Sequence, residues 1–303
     1  MSRSRYRSDR GLIARMGLTM FLLGLLFVVL GSLLVYYFKG LGLVILVAFL
    51  GAQWFFSDRL ALYGMGGRIV TPEEAPELHG IVDRLCAIAD MPKPKVAIAD
   101  SDVPNAFATG RSQSHAVVCA TTGIMRRLDE RELEGVLAHE LSHVAHRDVT
   151  VMTIASFVGV LAGFLTRMAL WSGMMGGGRR NNNNNGGGAP VVLVVLLVSI
   201  VVYALSFLLI RTLSRYRELA ADRAGAYLTG QPSALASALT KISGEMGRIP
   251  ARDLRQAEAF NAFFFTPAIA PGFSLSSLFS THPPLEKRLE QLGRISVELN
   301  RPS

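Results

Sequence analysis

Two histidines four residues apart, with a glutamate beside the first, are the side chains of this sequence best suited to chemistry. They stand in GVLAHELSHVAHRD, residues 135–148, which contains the pattern H-E-x-x-H. On a helix, His139 and His143 lie one turn apart on the same face, so both imidazoles can reach a single metal ion. Glu140 lies about 100° around the helix and can contact a water beside that ion. The spacing therefore predicts a zinc site with a general base.

The predicted chemistry is that of a catalytic zinc ion. Neutral imidazoles bind zinc at about 2.0–2.1 Å, and an open fourth position holds a water whose pKa falls toward about 7. Glu140 would take a proton from that water and later pass one to the leaving group. Histidines on the surface of an ordinary amphipathic helix are the plainer alternative, but they would leave Glu140 without a role.

A catalytic zinc ion needs a third protein ligand, and the motif helix does not supply one readily. His146 lies about 10.5 Å along the helix axis from His139, an awkward distance for sharing one ion. The extended pattern H-E-x-x-H-x-x-G-x-x-H also fails, because position 146 is His and position 149 is Val. The third ligand must come from elsewhere in the chain.

The stretch SRYRELAADRAGA, residues 214–226, is the best source of that ligand. Glu218 and Asp222 are four apart on one helical face, so Glu218 can bind the metal while Asp222 orients a histidine. Taken alone, RELAAD could be a salt-bridged face exposed to solvent. Beside the H-E-x-x-H pattern, the metal-binding interpretation is the stronger one.

A small α+β unit is predicted to position these residues. Alternating stretches predict strands at residues 95–99, 105–110 and 115–121. A helix is predicted at residues 73–90, with Thr71 and Glu74 as a capping box, and its apolar stripe is Leu78, Ile81, Val82, Leu85 and Ile88. The motif helix begins near Asp129, and its apolar stripe is Leu133, Val136, Leu137, Leu141 and Val144. Residues 233–247 and a final helix at about 285–299 complete the scaffold.

Four apolar runs predict transmembrane helices, at residues 16–38, 41–56, 149–171 and 190–210. The arginines before the first run favour a cytoplasmic N-terminus. The chain then divides into four segments. Residues 1–56 form a tail with a hairpin, and residues 57–148 form a first polar part with the motif. Residues 149–210 form a second hairpin with a Gly/Asn-rich loop, and residues 211–303 form a second polar part. Both polar parts would face the cytoplasm, where the motif can meet Glu218. Alternatively, the third and fourth runs are buried helices of the polar part.

The composition agrees with a membrane protein. Of 303 residues, 50% are hydrophobic and only 18% are charged, and the mean hydropathy of +0.35 is high for a soluble chain. The net charge of +8 lies largely in the arginine-rich N-terminal stretch without any recognition motif, so we expect no nucleic-acid partner. Cys86 and Cys119 stand in apolar surroundings and are expected to be buried free thiols.

Several segments make the chain resemble the HtpX family of membrane-bound zinc metalloproteases, which is related to the CAAX prenyl proteases. Beside the N-terminal hairpin, these segments are PELHGIVDRLCAIADMPKPKVAI, NAFATG, GVLAHELSHVAHRD, SRYRELAADRAGAYL and THPPLEKRLEQL. Residues and resemblance together predict an α+β zincin-like metalloprotease domain, mostly helical with a small β-sheet, on an anchor of about four transmembrane helices. The resemblance implies one Zn²⁺ per chain, bound by His139, His143 and Glu218, with Glu140 as the catalytic glutamate.

The resemblance also implies where the protein acts and on what. The family is one of endopeptidases of the bacterial inner membrane that remove misfolded or damaged membrane proteins, so unfolded protein substrates and the lipid bilayer are the expected partners. Asn105, in NAFATG, resembles an asparagine on a strand that lines the substrate cleft, where a peptide could add to the sheet edge. His282, in THPP, resembles a histidine that stabilises the oxyanion. Taken alone, either could be a turn residue.

Two other functions fit the sequence less well. A protease that cuts within the bilayer would carry the motif inside an apolar run, but RRLDERELEG precedes it. A non-catalytic membrane scaffold with a structural zinc site would have no use for Glu140, because a purely structural zinc ion needs no adjacent base. The sequence therefore predicts a membrane-bound zinc endopeptidase, with the scaffold as the alternative.

Overall fold

The computed structural model describes residues 11, 14–32, 44, 47, 48, 51, 62, 66–110, 112–148, 151, 152, 162, 188–246 and 282–300. The chain divides into two units, one made of Met1–Met16, Phe55–Val151 and Ser214–Ser303 and the other of Gly17–Trp54 and Met152–Leu213. The first unit contains the sheet and every predicted site residue. The second unit consists mainly of the apolar runs.

The described elements are mostly helical, with one small sheet, as predicted. The strands are β1 (Gly67–Ile69), β2 (Lys95–Ala99), β3 (Ala106–Thr109) and β4 (Val117–Thr121). The helices are α1 (Ala14–Ser32), α2 (Pro76–Ala89), α3 (Thr122–Arg127), α4 (Glu130–Ala145), α5 (Gly188–Thr229), α6 (Pro232–Met246) and α7 (Leu285–Leu299). The three predicted strands and the predicted helices α2, α4 and α7 are thus confirmed as elements, and the scaffold segment at 233–247 corresponds to the helix α6.

The sheet has the order β1-β2-β4-β3, so β3 lies at one edge. β2 and β4 are parallel, and the other two pairs are antiparallel. The Asn105 carbonyl accepts a hydrogen bond from the Thr121 backbone N–H at 2.9 Å. Since alternate residues of an antiparallel pair bond to the partner strand, the backbone groups of Ala106 and Ala108 point away from β4. No strand within the described ranges pairs with β3 on that side.

The motif helix α4 begins with a complete capping box. The Glu132 backbone N–H donates to Asp129 Oδ1 at 2.9 Å, and the Asp129 backbone N–H donates to Glu132 Oε2 at 3.0 Å. These bonds satisfy N–H groups that a helix start leaves open, which fixes where α4 begins. The predicted apolar stripe of α4 is buried in the main core at all five positions, which are Leu133, Val136, Leu137, Leu141 and Val144.

The predicted start of α2 was wrong by about one turn. Thr71 and Glu74 do bond to each other, since the Thr71 backbone N–H donates to Glu74 Oε2 at 2.8 Å. That bond closes a turn rather than a helix start, and α2 begins at Pro76, a residue suited to the first turn. Ile88, at the end of the predicted stripe, is 42% exposed because it lies in the last turn, beyond the core.

Two glycines allow other helices to approach the backbone of α4 closely. A Cβ atom added at Gly225 of α5 would lie 3.0 Å from the backbone nitrogen of His139. A Cβ atom added at Gly135 of α4 would lie 3.3 Å from the Leu235 backbone of α6. Both contacts are tighter than ordinary van der Waals contact, so α4 is held between α5 and α6 with little free space.

The apolar runs are described only in part. Two described helices are long and apolar enough to cross a membrane, Ala14–Ser32 and Leu196–Thr229. The predicted runs at 41–56 and 149–171 lie mostly outside the described residues. The predicted run at 190–210 and the segment with Glu218 belong to one helix, since α5 continues through both over 42 residues.

Candidate metal centre

Three predicted ligands converge although they lie on two helices that are distant in the sequence. Nε2 of His139 and Nε2 of His143, both on α4, are 3.2 Å apart. Glu218, on α5, has Oε2 at 3.7 Å from the first of these nitrogens and Oε1 at 3.5 Å from the second. The ligand atoms of the group all lie within 4.8 Å of one another, and the three residues are buried.

Each histidine of the group donates a hydrogen bond to a buried aspartate. Nδ1 of His139 lies 2.9 Å from Asp222 Oδ1, and Nδ1 of His143 lies 2.6 Å from Asp148 Oδ2. An ionised carboxylate can only accept, so each Nδ1 carries the proton, and each Nε2 of a neutral imidazole presents a lone pair. These lone pairs face each other and the Glu218 carboxylate, an arrangement that a cation among them would stabilise.

Distances and charges both fit a divalent cation. Two ligand atoms at about 2.0–2.1 Å from a tetrahedral zinc ion are about 3.3 Å apart, close to the 3.2 Å between the two Nε2 atoms. Oε2 of Glu218 is buried, and its nearest charged or polar neighbours are nitrogen atoms: His282 Nδ1 at 3.1 Å, His139 Nε2 at 3.7 Å and Arg288 Nη1 at 3.8 Å. A buried acceptor of this kind is costly unless it binds a cation or a donor.

The pKa values of the two histidines differ because their surroundings differ. Burial lowers the pKa of His139 below its usual range. Burial acts in the same direction on His143, but the hydrogen bonds and charges of Asp148 and Glu218 outweigh it and raise that pKa to about 10. The negative field that favours a proton on this imidazole would equally favour a bound divalent cation.

The aspartate behind His139 is fixed by an arginine that sequence reasoning did not identify. Arg288 of α7 donates to Asp222 Oδ2 from Nε at 2.7 Å and to Oδ1 from Nη2 at 2.6 Å. Asp222 and Arg288 are almost completely buried. Arg288 stands in the quoted stretch LEKRLEQL, but only the packing of α7 reveals that it faces the site.

The aspartate behind His143 was also missed. Asp148 follows the motif directly, in HVAHRD, and Arg217 directly precedes Glu218, in SRYRE. Arg217 Nε lies 3.0 Å from Asp148 Oδ1, and both side chains are buried. Burial opposes the charged form of Asp148, but Arg217 and His143 lower its pKa to about 2. The positions of Asp148 and Arg217 in the sequence, close to His143 and Glu218, are the signal from which both residues could have been identified.

Glu140 lies beside His139, His143 and Glu218, but its pKa is shifted mainly by burial. It is buried, and burial raises its pKa to about 8, while His143 and the Ala108 backbone act in the opposite direction. The Ala108 backbone belongs to the groups of β3 that point away from β4, so its effect on the pKa places Glu140 near that edge of the sheet.

Of the remaining predicted residues, His282 lies beside this group. His282 is buried, with Nδ1 at 3.1 Å from Glu218 Oε2. Asn105 is buried at the start of β3, and its backbone N–H donates to Thr121 Oγ1 at 2.9 Å. His146 bonds through Nδ1 to the Ser142 carbonyl at 2.8 Å, and it is not a member of the group of ligands, as the axial distance predicted.

Comparisons with known proteins agree with this geometry. The model of peptidase family M48 matches residues 72–296. The chain is 60% identical to Protease HtpX homolog 1 of Streptomyces coelicolor over 298 residues, which cover 98% of this chain and 96% of that protein. It is 54% identical to a Protease HtpX homolog of Moorella thermoacetica over 302 residues, 98% of each chain.

One solved structure is similar in fold. S. mikatae Ste24p matches with a TM-score of 0.52 and 17% identity, over 89% of this chain and 62% of that one. The family match spans the strands β2, β3 and β4 and the ligand-bearing helices, and the relatives extend the similarity to nearly the full length. The chain therefore belongs to the HtpX proteases of peptidase family M48, and it is a membrane-bound metalloprotease.

Proposed function

We propose that this metalloprotease is a zinc endopeptidase whose single zinc ion is bound by His139, His143 and Glu218. The observation that carries the proposal is the convergence of three ligand atoms from α4 and α5 within 4.8 Å. The donor set of two imidazoles and one carboxylate supports a catalytic zinc site, because it leaves a position open. Asp222 and Arg288 support it further, since they hold His139 with Nε2 toward the group.

In this proposal, Glu140 is the general base and general acid. A bound zinc ion would polarise the scissile carbonyl and lower the pKa of the attacking water. Glu140 would accept the proton of that water on its carboxylate and later donate it to the leaving amine. The burial of Glu140, which holds its pKa above the usual range, supports both roles. His282 would stabilise the oxyanion, a role supported by its position beside Glu218.

The substrate is proposed to bind as an extended peptide along β3. The outward backbone groups of Ala106 and Ala108 can pair with a peptide as a further strand would. Asn105, at the start of β3, would contact the peptide near the point of cleavage. The effect of the Ala108 backbone on the pKa of Glu140 supports this orientation, since it indicates that the base lies near the edge that the peptide would occupy.

The proposed substrates are misfolded or damaged membrane proteins of the bacterial inner membrane. The chain would cross the bilayer four times, with residues 1–56 and 149–210 as anchors. Residues 57–148 and 211–303 would form the catalytic domain at the cytoplasmic face. The two described apolar helices and the arginine-rich N-terminal stretch support this arrangement.

The Glu140→Gln variant tests the proposed chemistry. The neutral amide of the variant cannot accept the proton, so cleavage of unfolded casein and self-cleavage should fall by at least about 100-fold. Bound zinc, quantified in the same full-length protein, should stay at one per chain, because Glu140 is not a ligand. Glu134→Gln is the matched control on α4. Glu134 pairs with Arg84 at 2.9 Å and should be replaceable without loss of activity.

Two outcomes would contradict the proposal in different ways. Full activity in Glu140→Gln would remove Glu140 from the mechanism. Stoichiometric zinc in wild-type protein, without cleavage of casein or of an unfolded membrane protein, would favour the scaffold with a structural zinc site.

A further inference from the structure

Asp148 and Arg217 join the two ligand-bearing helices on the side of His143. Asp148 accepts from His143 Nδ1 at 2.6 Å through Oδ2 and lies 3.0 Å from Arg217 Nε through Oδ1. Arg217 directly precedes Glu218 in the chain. A continuous path therefore runs from one proposed ligand to the other, from His143 through Asp148 and Arg217 to Glu218.

The backbone makes this contact through an uncommon turn. α4 ends at Ala145, and Arg147 has a φ of 56°, in the left-handed region that residues other than glycine seldom adopt. The turn brings Asp148 back beneath His143, five positions earlier, which a continuing helix would not do. This left-handed helix ending, like the one at Asp90 after α2, reverses the chain, and here the reversal places a carboxylate beside a proposed ligand.

Asp148 lies between two helical segments, because α4 ends at Ala145 and Asp148 begins the next one, where the Val151 N–H donates to the Arg147 carbonyl at 3.2 Å. A negative charge at a helix start is only modestly favourable, so helix stability does not account for a buried ion pair at this position. The side chains of Asp148 and Arg217 are only 7% and 8% exposed, so the pair has lost most of its hydration. Buried ion pairs seldom stabilise a fold more than apolar residues of the same size would. The role of Asp148 and Arg217 must therefore lie in the side chains that they hold in position.

We propose that Asp148 and Arg217 are positioning residues for the metal, which fix the ring orientation and tautomer of His143. The Asp148 carboxylate keeps the proton on Nδ1, so that Nε2 faces the ion. Arg217 neutralises and orients that carboxylate and ties its position to α5, one residue before Glu218. This inference rests on the proposed zinc site. Aspartates and similar partners behind ligating histidines are worth about 10–100-fold in metal affinity.

The double variant Asp148→Leu with Arg217→Met separates positioning from stability. It replaces both buried charges by apolar side chains, a gain that opposes the loss of the acceptor for His143 Nδ1, so the thermal midpoint in chelator should stay close to that of wild type. Zinc affinity of the full-length protein in detergent should fall by about 10–100-fold. Substitution with Co²⁺ should give a changed d–d absorption spectrum, which a purely structural pair would leave unaltered.

Two further variants make the result decisive. Arg84→Met with Glu134→Leu removes an Arg–carboxylate ion pair between α2 and α4, with an N–O distance of 2.9 Å, and should leave zinc affinity and the cobalt spectrum unchanged. Asp148→Asn keeps the shape but loses the charge, and it decides the question if the double variant does not fold. Zinc affinity and a cobalt spectrum equal to wild type in the folded variants would overturn the inference. A wild-type protein that binds no zinc would instead refute the proposed metal site.

Discussion

At the scale of single residues, the two histidines of the motif are held by aspartates of different origin. Asp222 lies inside α5 and receives two hydrogen bonds from Arg288. Asp148 lies beyond the end of α4, and one nitrogen of Arg217 approaches it. The first histidine is thus fixed by regular helices, whereas the second depends on a turn whose geometry is set at Arg147. Substitutions at Arg147 should reveal whether the stability of the protein depends on the backbone conformation of this turn or on the arginine side chain.

Arg147→Gly should preserve or raise the stability of the protein. The left-handed conformation, φ 56°, costs a residue with a side chain about 1–2 kcal/mol, and glycine avoids that cost at the expense of about 0.5–1 kcal/mol of chain entropy. Arg147→Val should lower the free energy of unfolding by about 1–2 kcal/mol, because β-branched residues are disfavoured most there. Denaturant unfolding in detergent measures both variants. Equal losses in both would assign the effect to the arginine side chain instead.

At the scale of elements, α4 is the helix against which the others are arranged. Its first turn is joined to α6, since Glu132 accepts hydrogen bonds from Ser237 Oγ at 2.6 Å and from Lys241 Nζ at 2.7 Å. Burial would raise the pKa of Glu132, but these donors and the Asp129 backbone outweigh it and lower that pKa. One side chain therefore both starts the motif helix and fastens it to its neighbour.

The Glu132→Gln variant should show a stability loss that depends on pH. A lowered pKa means that the ionised carboxylate stabilises the folded state above the usual value of 4.5, and that this stabilisation disappears as pH falls through the lowered value. We expect a loss of about 1–2 kcal/mol at pH 7, because Lys241 is partly exposed to solvent. The difference from wild type should vanish under acid conditions. Unfolding midpoints from pH 3 to 8 measure it, and a constant difference would contradict the prediction.

The sequence predicted what local spacing determines. His139, Glu140 and His143 follow from one helical turn, and Glu218 with Asp222 follows from the same rule applied to a second helix. Asp148 and Arg217 lie close in sequence to predicted ligands, which was a signal, but their contacts and those of Arg288 depend on how the helices dock. Two short elements, β1 and α3, were also not predicted, since three or six residues are too few to establish a periodic pattern.

At the scale of the whole molecule, the metal should stabilise the fold by linking chain segments 79 positions apart, from His139 to Glu218. Free zinc at 100 times its dissociation constant should add about 2.7 kcal/mol to the free energy of unfolding. The thermal midpoint should then rise by about 5–10 °C relative to protein in chelator. Glu140→Gln should show the same rise, since it keeps all three ligands. A thermal midpoint that is the same with and without zinc in both proteins would contradict the predicted coupling between zinc binding and folding.

The order of these segments along the chain bears on how the protein is made. The histidines of α4 are synthesised first, the carboxylate of α5 later, and Arg288, which fixes Asp222, later still. A nascent or broken chain that ends before α5 has the two histidines but no complete set of ligands. In the proposed mechanism such a fragment cannot cut its neighbours. A protease whose active site requires distant parts of one polypeptide is thereby harmless until that polypeptide has folded.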